Sequence, residues 1–174
     1  MATNCFLHNT ITCGKRKTIE RYKSSSRIKI VYGFDWVSTS DNSALIYEMV
    51  NKIIKKLESE FPVKFEFQSL GGKDGSIYCD ICRQIKQSDI AIFDLSTSNL
   101  NVIFELGLAV GAGAYVFMLR SMHSRRQLRT LSDLNGILEH RFSRRGGHLK
   151  FQANFSQSLE RKLRTVARKR LAPK

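Results

Sequence analysis

The chain has 174 residues, of which 42% are hydrophobic and 25% charged, a balance that fits one globular domain and excludes wholesale disorder. No apolar run reaches the ~18 residues of a membrane-spanning helix, and no basic segment followed by an apolar stretch opens the chain. Four cysteines are too few for a disulfide scaffold of this length, so we expect a cytosolic protein.

The net charge of +14 is concentrated at the two ends of the chain. Residues 1–26 carry five Lys/Arg against one acidic residue, residues 27–119 carry nine against eleven, and residues 120–174 carry fifteen against three. Such asymmetry favours contact with nucleic acid or an acidic protein through the stretches from Arg120 to Arg145 and from Arg161 to Arg170. The alternative is the solvated face of an amphipathic helix.

The hydrophobic pattern predicts alternating strands and helices after a basic N-terminal arm at residues 1–26. Strands are predicted at 27–32, 63–68, 89–95, 114–119 and, as a short strand, 139–142. Helices are predicted from Asp41 or Ser43 to about 60, and at 76–87, 101–112 and 154–171, with a turn or short helix at 131–138. Residues 27–171 are therefore predicted to form an α/β domain, with about five mainly parallel strands and helices on both faces of the sheet.

Ligands of open parallel sheets bind beyond the carboxyl ends of the strands, at the switch point of strand order. The loops predicted there are rich in glycine, hydroxyl and amide groups, which suit phosphates and sugar hydroxyls through backbone N–H groups and a positive helix end. The candidate ligand-binding residues in these loops are Gly33, Phe34, Asp35, Trp36, Gly72, Asp94, Ser96 and Asn99.

Glu105 is the candidate catalytic residue. It lies about one turn inside the third predicted helix, which is apolar almost all round and is expected to be buried. An ionised carboxylate there is unfavourable unless it is paired or opens on a cleft. Asn101, four residues earlier on the same helix face, is expected to point with Glu105 toward the ligand loops. The alternative is a glutamate that compensates the helix dipole or pairs with a core arginine.

Other motifs carry weaker signals. Cys79 and Cys82 fall on one helix face, which is typical of small core residues, and their spacing to Cys5 and Cys13 is not usual for zinc, so no metal site is predicted. Three glycines of the third helix region are interpreted as allowing close approach between helix and sheet: Gly107, Gly111 and Gly113.

Two segments resemble the signature of the nucleoside 2-deoxyribosyltransferase-like and TIR-like superfamily. They are SDIAIFDLS at 88–96 and NVIFELGLA at 101–109, and the superfamily pattern is a D-apolar-D strand, a polar loop and Asn-Val-x-aromatic-Glu-Leu-Gly-x-Ala. The segment at 132–137 is similar to one found downstream in such domains. The resemblance is specific over residues 88–119 and looser over 27–171. It implies a flavodoxin-like sheet, with the layers of a three-layer sandwich.

The resemblance also implies chemistry at an N-glycosidic bond of NAD or a related nucleotide as substrate. Glu105 matches the glutamate that lies against the ribose C1′, and Asp94 matches the aspartate that orients the ribose or base. A pyridinium leaving group needs no strong general acid, so one carboxylate near C1′ can suffice. Phe34 and Trp36 are then candidates to stack on a base or nicotinamide ring, with core packing or loop anchoring as the alternative.

Features of the resemblance favour NAD cleavage over transfer. The turn at 98–101, SNLN, differs from the Ser-Gly-Thr type of the transferases, and Asn-Val before the glutamate is typical of NAD-cleaving or nucleotide-sensing domains of prokaryotic antiviral defence. Such small domains often work as homo-oligomers or complex subunits. Two other readings stay open: an inactive nucleotide sensor that docks through its basic surface, and a nucleic-acid binder that rests on charge alone.

Overall fold

A six-stranded sheet organises the chain in the computed structural model, which describes residues 26–37, 40–71, 77–97, 99–124, 139–152 and 154–172. The strands are β1 (Arg27–Gly33), β2 (Lys64–Ser69), β3 (Ile90–Asp94), β4 (Tyr115–Ser121), β5 (Glu139–Arg145) and β6 (His148–Phe151). The helices are α1 (Ser40–Glu58), α2 (Ile77–Gln87), α3 (Leu100–Gly111) and α4 (Phe155–Leu171).

The sheet order is β2-β1-β3-β4-β5-β6, and the five strands β1 to β5 run parallel. This confirms the predicted α/β class with a mainly parallel sheet. The order reverses between β1 and β3, because the chain moves from β1 outward to β2 and then returns to the other side of β1. Gly33 of β1 lies opposite Phe93 of β3, so the two strands end side by side at this switch point.

Strand β6 was not predicted. It pairs antiparallel with β5 through a two-residue turn at Gly146 and Gly147, whose φ angles are +55° and +79°. Positive φ at both positions is the geometry of a tight hairpin turn, and adjacent glycines adopt it without strain. The pair of glycines was a usable signal, and Leu149 and Phe151 alternate with polar residues after it, but this run of four residues is short for a strand.

The start of helix α1 differs from the predicted start. Helix α1 begins at Ser40, so neither Asp41 nor Ser43 is its N-cap. Several Ser, Thr and Asp residues follow one another there, and composition alone cannot choose among them. The predicted N-terminal arm, except for its last residue, and the predicted turn at 131–138 lie outside the described residues.

The core consists of two hydrophobic clusters to which each central strand contributes alternate residues. The first contains α1 and α4 with Ile30 and Tyr32, and the second contains α2 and α3 with Val31. The predicted inward residues of α4 are confirmed, since Phe155, Leu159 and Leu163 are buried and Val166 packs partly buried against the first cluster, and Ala167 is buried as well. Full burial of Phe155, Leu159 or Leu163 stabilises the fold by about 1.5–3 kcal/mol for each side chain.

The expectation that α3 is buried almost all round is wrong in part. Val102, Leu106 and Ala109 are buried, but Leu100 is 80% exposed and Phe104 is 46% exposed. A helix on a sheet buries one stripe only, so an apolar sequence does not by itself bury the opposite face. Within the described ranges, no helix is both long and apolar enough to cross a membrane.

The interpretation of three glycines as close-approach positions is also wrong. A Cβ atom placed at Gly107 or Gly111 would meet no heavy atom within 4 Å. Gly113 instead follows the end of the helix, with a φ of +72°. Its N–H donates to the carbonyl of Val110, and the N–H of Ala114 donates to the carbonyl of Ala109. This pair of bonds is a Schellman motif, which favours glycine at the left-handed position.

We expect Gly107→Ala to raise the free energy of unfolding by about 0.5–1 kcal/mol, because alanine restricts the unfolded chain and favours the helix without a steric penalty. Urea denaturation measures the change. Gly113→Ala is the contrasting variant and should lower stability by about 1 kcal/mol, since its φ is positive. A loss of stability in Gly107→Ala would contradict the open helix face.

Candidate active site at the carboxyl ends of β1 and β3

Three elements meet where β1 and β3 end. Gly33 ends β1, Asp94 ends β3, and α3 starts six residues after Asp94. The side chain of Asn99 caps α3 by accepting a hydrogen bond from the backbone N–H of Asn101 at 2.9 Å. The short loop and its cap fix α3 over the switch point, and Glu105 lies on the sixth residue of this helix.

The Glu105 carboxylate reaches the end of β1. Its Oε2 lies 2.8 Å from the position that a Cβ atom at Gly33 would occupy, and two ring carbons of Phe93 lie 2.6 and 2.7 Å from the same point. Contacts below 3.0 Å are not tolerated by a real Cβ atom. Glycine at position 33 therefore leaves the space in which Glu105 and Phe93 stand beside the strand end.

Burial raises the pKa of Glu105 to about 7. Within the described part of the chain, no hydrogen bond or ion pair reaches its carboxylate, so the alternative of pairing with a core arginine receives no support there. Its place beyond the first turn also weakens any compensation of the helix dipole, which falls off within one turn. At neutral pH this carboxyl group is present in both protonation states.

Asp94 is fully buried at the end of β3. Its Oδ1 accepts hydrogen bonds from the backbone N–H of Ser96 at 2.9 Å and from the Ser96 hydroxyl, while its buried Oδ2 has no partner within the described ranges. Burial raises the pKa of Asp94, the bonds from Ser96 oppose this, and the negative charge of Asp35 raises it further. An acceptor atom thus remains unsatisfied beside the switch point.

Two further buried polar atoms near this edge were not predicted as site residues. The Tyr32 hydroxyl and the Thr97 Oγ1 make no hydrogen bond among the described residues. Burial raises the pKa of Tyr32 well above its usual range, with a further contribution from the charge of Asp94. Tyr32 was hidden in the apolar alternation of β1, and Thr97 lies in a polar loop in which sequence alone could not rank one hydroxyl over another.

The predicted ligand residue Ser96 has partners within the fold. Its hydroxyl donates to Asp94 and accepts from the N–H of Ser121 at 2.8 Å, while its carbonyl accepts from the Ser124 hydroxyl at 2.6 Å. These bonds join the ends of β3 and β4. Asn101 is exposed on the first turn of α3, four residues before Glu105. Ser96 and Asn99 thus support the loop through their side chains.

The two candidate stacking residues differ in exposure. Phe34 is buried in the first hydrophobic cluster, with its ring 4.7 Å from that of Tyr32, as the core-packing alternative proposed. Trp36 is 62% exposed, and its ring lies 4.7 Å from Phe34. Asp35 Oδ1 accepts a hydrogen bond from the N–H of Val37 at 3.1 Å. Candidate residue Gly72 lies outside the described residues.

Neither metal ligands nor known relatives identify the site. Among the described residues, no group of three or more His, Cys, Asp or Glu side chains is arranged to hold a metal ion, and Cys5 and Cys13 lie outside those residues. No protein-family model matches the chain, and comparison with curated proteins finds no match.

We expect Glu105→Gln to stabilise the protein at pH 8 by about 1–3 kcal/mol. The folded-state pKa is raised, so the folded protein binds the proton more tightly than the unfolded chain, and wild-type stability falls as the pH rises from about 4.5 to above 7. Below pH 4.5 the carboxyl group is protonated in both states, and the difference between variant and wild type should vanish. Urea denaturation across this pH range measures it.

Glu48→Gln is the matched control, because Glu48 is exposed and its bond to Lys52 lowers its pKa. Its substitution should cost slight stability at pH 8, opposite in sign to Glu105→Gln. If Glu105→Gln is destabilising at pH 8, the carboxylate has a stabilising partner and is not the unpaired acid described above.

Gly33→Ala should destabilise the protein by about 1–3 kcal/mol, because the added methyl group displaces the Glu105 carboxylate and the Phe93 ring. Thermal and urea unfolding measure the loss. Gly71→Ala is the control, since a Cβ atom at Gly71 meets nothing within 4 Å. Equal stability of the two variants would show that the carboxylate does not stand at the end of β1.

Proposed function

We propose that the protein cleaves or transfers at the N-glycosidic bond of NAD or a related nucleotide, with Glu105 as the catalytic carboxylate. The observation that carries the proposal is a largely buried acid, without a cationic partner in the described part of the chain, standing at the switch point against Gly33. The resemblance of residues 88–109 to an N-glycosidic superfamily supports the same assignment.

The proposed chemistry needs one carboxylate at the sugar carbon. The C1′–N bond breaks, its electron pair passes to the pyridinium nitrogen of nicotinamide, and the leaving group departs neutral. Positive charge develops on C1′, where the Glu105 carboxylate stabilises or captures it until a water molecule or acceptor bonds to C1′ and releases a proton. A cationic ring beside Glu105 favours its ionised form, so substrate binding opposes the effect of burial on its pKa.

The remaining polar groups suit a ribosyl substrate. Asp94 Oδ2, the Tyr32 hydroxyl and Thr97 Oγ1 are buried without hydrogen bonds among the described residues, and sugar hydroxyls supply complementary donors and acceptors. The exposed ring of Trp36 offers a face for stacking on a base or nicotinamide.

We further propose that the fold is a flavodoxin-like three-layer sandwich and that the protein acts as an effector in prokaryotic antiviral defence. The strand order β2-β1-β3-β4-β5 and the division of the helices between two clusters support the first statement. The second rests on the resemblance, which also suggests work in the cytosol as a homo-oligomer or complex subunit.

The alternative is an inactive module that senses a nucleotide and docks through its basic surface. It is favoured by the side chains of Ser96 and Asn99, which already bond within the loop and so leave fewer groups to position a reacting substrate. The two functions would use the same site residues and differ in turnover.

Incubation with NAD should release nicotinamide, measured by chromatography, and Glu105→Gln should slow release by about 100-fold or more. In wild type, kcat/KM should rise with pH toward a plateau with a midpoint near 7, because the ionised carboxylate is the active form. Glu48→Gln, which removes an exposed carboxylate, should keep full activity.

NAD binding without release in the wild type at any protein concentration would favour the sensor over the enzyme. Release that is equal in wild type and Glu105→Gln would exclude Glu105 as the catalytic group. Absence of both binding and release would contradict NAD as the ligand.

A further inference from the structure

A cleft lies at the opposite ends of the strands from Glu105, between α4 and the beginnings of β4 and β5. Its volume is about 560 Å³, and a neighbouring cavity of about 410 Å³ shares Ala114, Tyr115 and Lys162 with it. The site of Glu105 lies at the carboxyl ends of β1 and β3, whereas this cleft lies at the amino ends of the strands. None of the described residues named at the site of Glu105 lines this cleft.

The two walls of the cleft differ in character. The wall from α3 and β4 is apolar and includes Val110, Val116 and Phe117. The wall from α4 is polar, because Ser158, Lys162, Thr165 and Lys169 recur at helical spacing along one stripe, with Arg161 beside them. A cleft with one apolar wall and one cationic wall fits a ligand that carries both an anionic group and a flat or apolar part.

The cations at this cleft differ from the others on α4. Arg164 pairs with Glu60 and Glu160, and Arg170 pairs with Asp89 at 2.5 Å. Among the described residues, no carboxylate pairs with Arg161, Lys162 or Lys169. Asp89 also lines the neighbouring cavity, but it pairs with Arg170, so no carboxylate among the described residues compensates the charges of Lys162 and Lys169, and this favours binding of an anion.

Lys162 carries a positive charge that the surrounding described residues do not neutralise. Its Nζ lies 3.5 Å from the centroid of the Tyr115 ring. Burial lowers its pKa, and the positive charge of Lys169 lowers it further. An anion between these two ammonium groups would remove their mutual repulsion and compensate the desolvation of Lys162.

His140 adds a buried polar group to the lining. The residue is 1% exposed, and its Nδ1 has no hydrogen-bond partner within the described ranges. Its ring lies 5.6 Å from that of Phe117 and 5.2 Å from that of Phe155. Burial lowers the pKa of His140, which favours the neutral imidazole. In that form one ring nitrogen donates a hydrogen bond and the other accepts one.

We propose that this cleft binds a small phosphorylated ligand of mononucleotide size, with its phosphate between Lys162 and Lys169, where the two cavities adjoin, and its ring against the apolar wall. The volume lies within the range of small-molecule sites, and the two ammonium groups complement the charge of a phosphate. The inference does not rest on the proposed enzymatic function, because it involves a different edge of the sheet.

Calorimetric titration of the full chain with ADP tests the proposal. The double variant Lys162→Gln/Lys169→Gln should bind ADP about tenfold more weakly. The control Lys55→Gln/Lys150→Gln removes the same charge from exposed positions on α1 and β6 and should bind as wild type does. Glu105→Gln should also bind as wild type does, which separates this site from the proposed active site.

Four outcomes would overturn the proposal. Equal weakening in both double variants would indicate attraction by net charge alone. Loss of ADP binding in Gly33→Ala but not in Lys162→Gln/Lys169→Gln would place ADP at the other edge of the sheet. Pyrophosphate that binds as tightly as ADP would remove the role of the apolar wall. A short oligonucleotide that binds, with a steep salt dependence, where ADP does not would indicate a nucleic-acid surface.

Discussion

The approach of the Glu105 carboxylate to Gly33 is the constraint on which the candidate site depends. A largely buried acid without a cationic partner among the described residues lowers the stability of the fold, and the absence of a Cβ atom at position 33 leaves the space that its carboxylate occupies. Val102, Leu106 and Ala109 anchor α3 in the second cluster and offset that cost. Local instability that the surrounding packing maintains is typical of functional sites.

Periodicity predicted the elements because burial of one helix face or of both strand faces leaves a direct pattern in the sequence. Most boundaries differ from the structure by one or two residues, where caps and frayed ends compete. The exposure of Leu100 and Phe104 left no such pattern, because an apolar residue on the open face of α3 has the same letter as one on the buried face. Strand β6 was missed because its alternation extends over only four residues, the lower limit of a strand signal.

The site was predicted in outline, since a single acid in an apolar helix after a buried strand is visible in the sequence. What could not be predicted is how each loop side chain is used. Gly33 was predicted to bind the ligand, whereas in the structure its missing Cβ atom leaves space for the carboxylate of Glu105. The hydrogen bond that Ser96 accepts from the N–H of Ser121 depends on a tertiary contact with β4, whereas Asn99 caps α3 through a local bond from the N–H of Asn101.

The groups at the two candidate sites differ in charge, and this difference bears on which ligands each is proposed to bind. Asp35, Asp94 and Glu105 lie at the site proposed for a cationic ring, whereas Lys162 and Lys169, without a carboxylate partner among the described residues, lie at the site proposed for phosphate. Helix α3 spans the distance between them, with Glu105 near its start and Val110 near its end. The same helix therefore contributes to both candidate sites, and variants that touch only one of them measure the two binding properties separately, so that any effect of a ligand at one site on affinity at the other gives a coupling free energy.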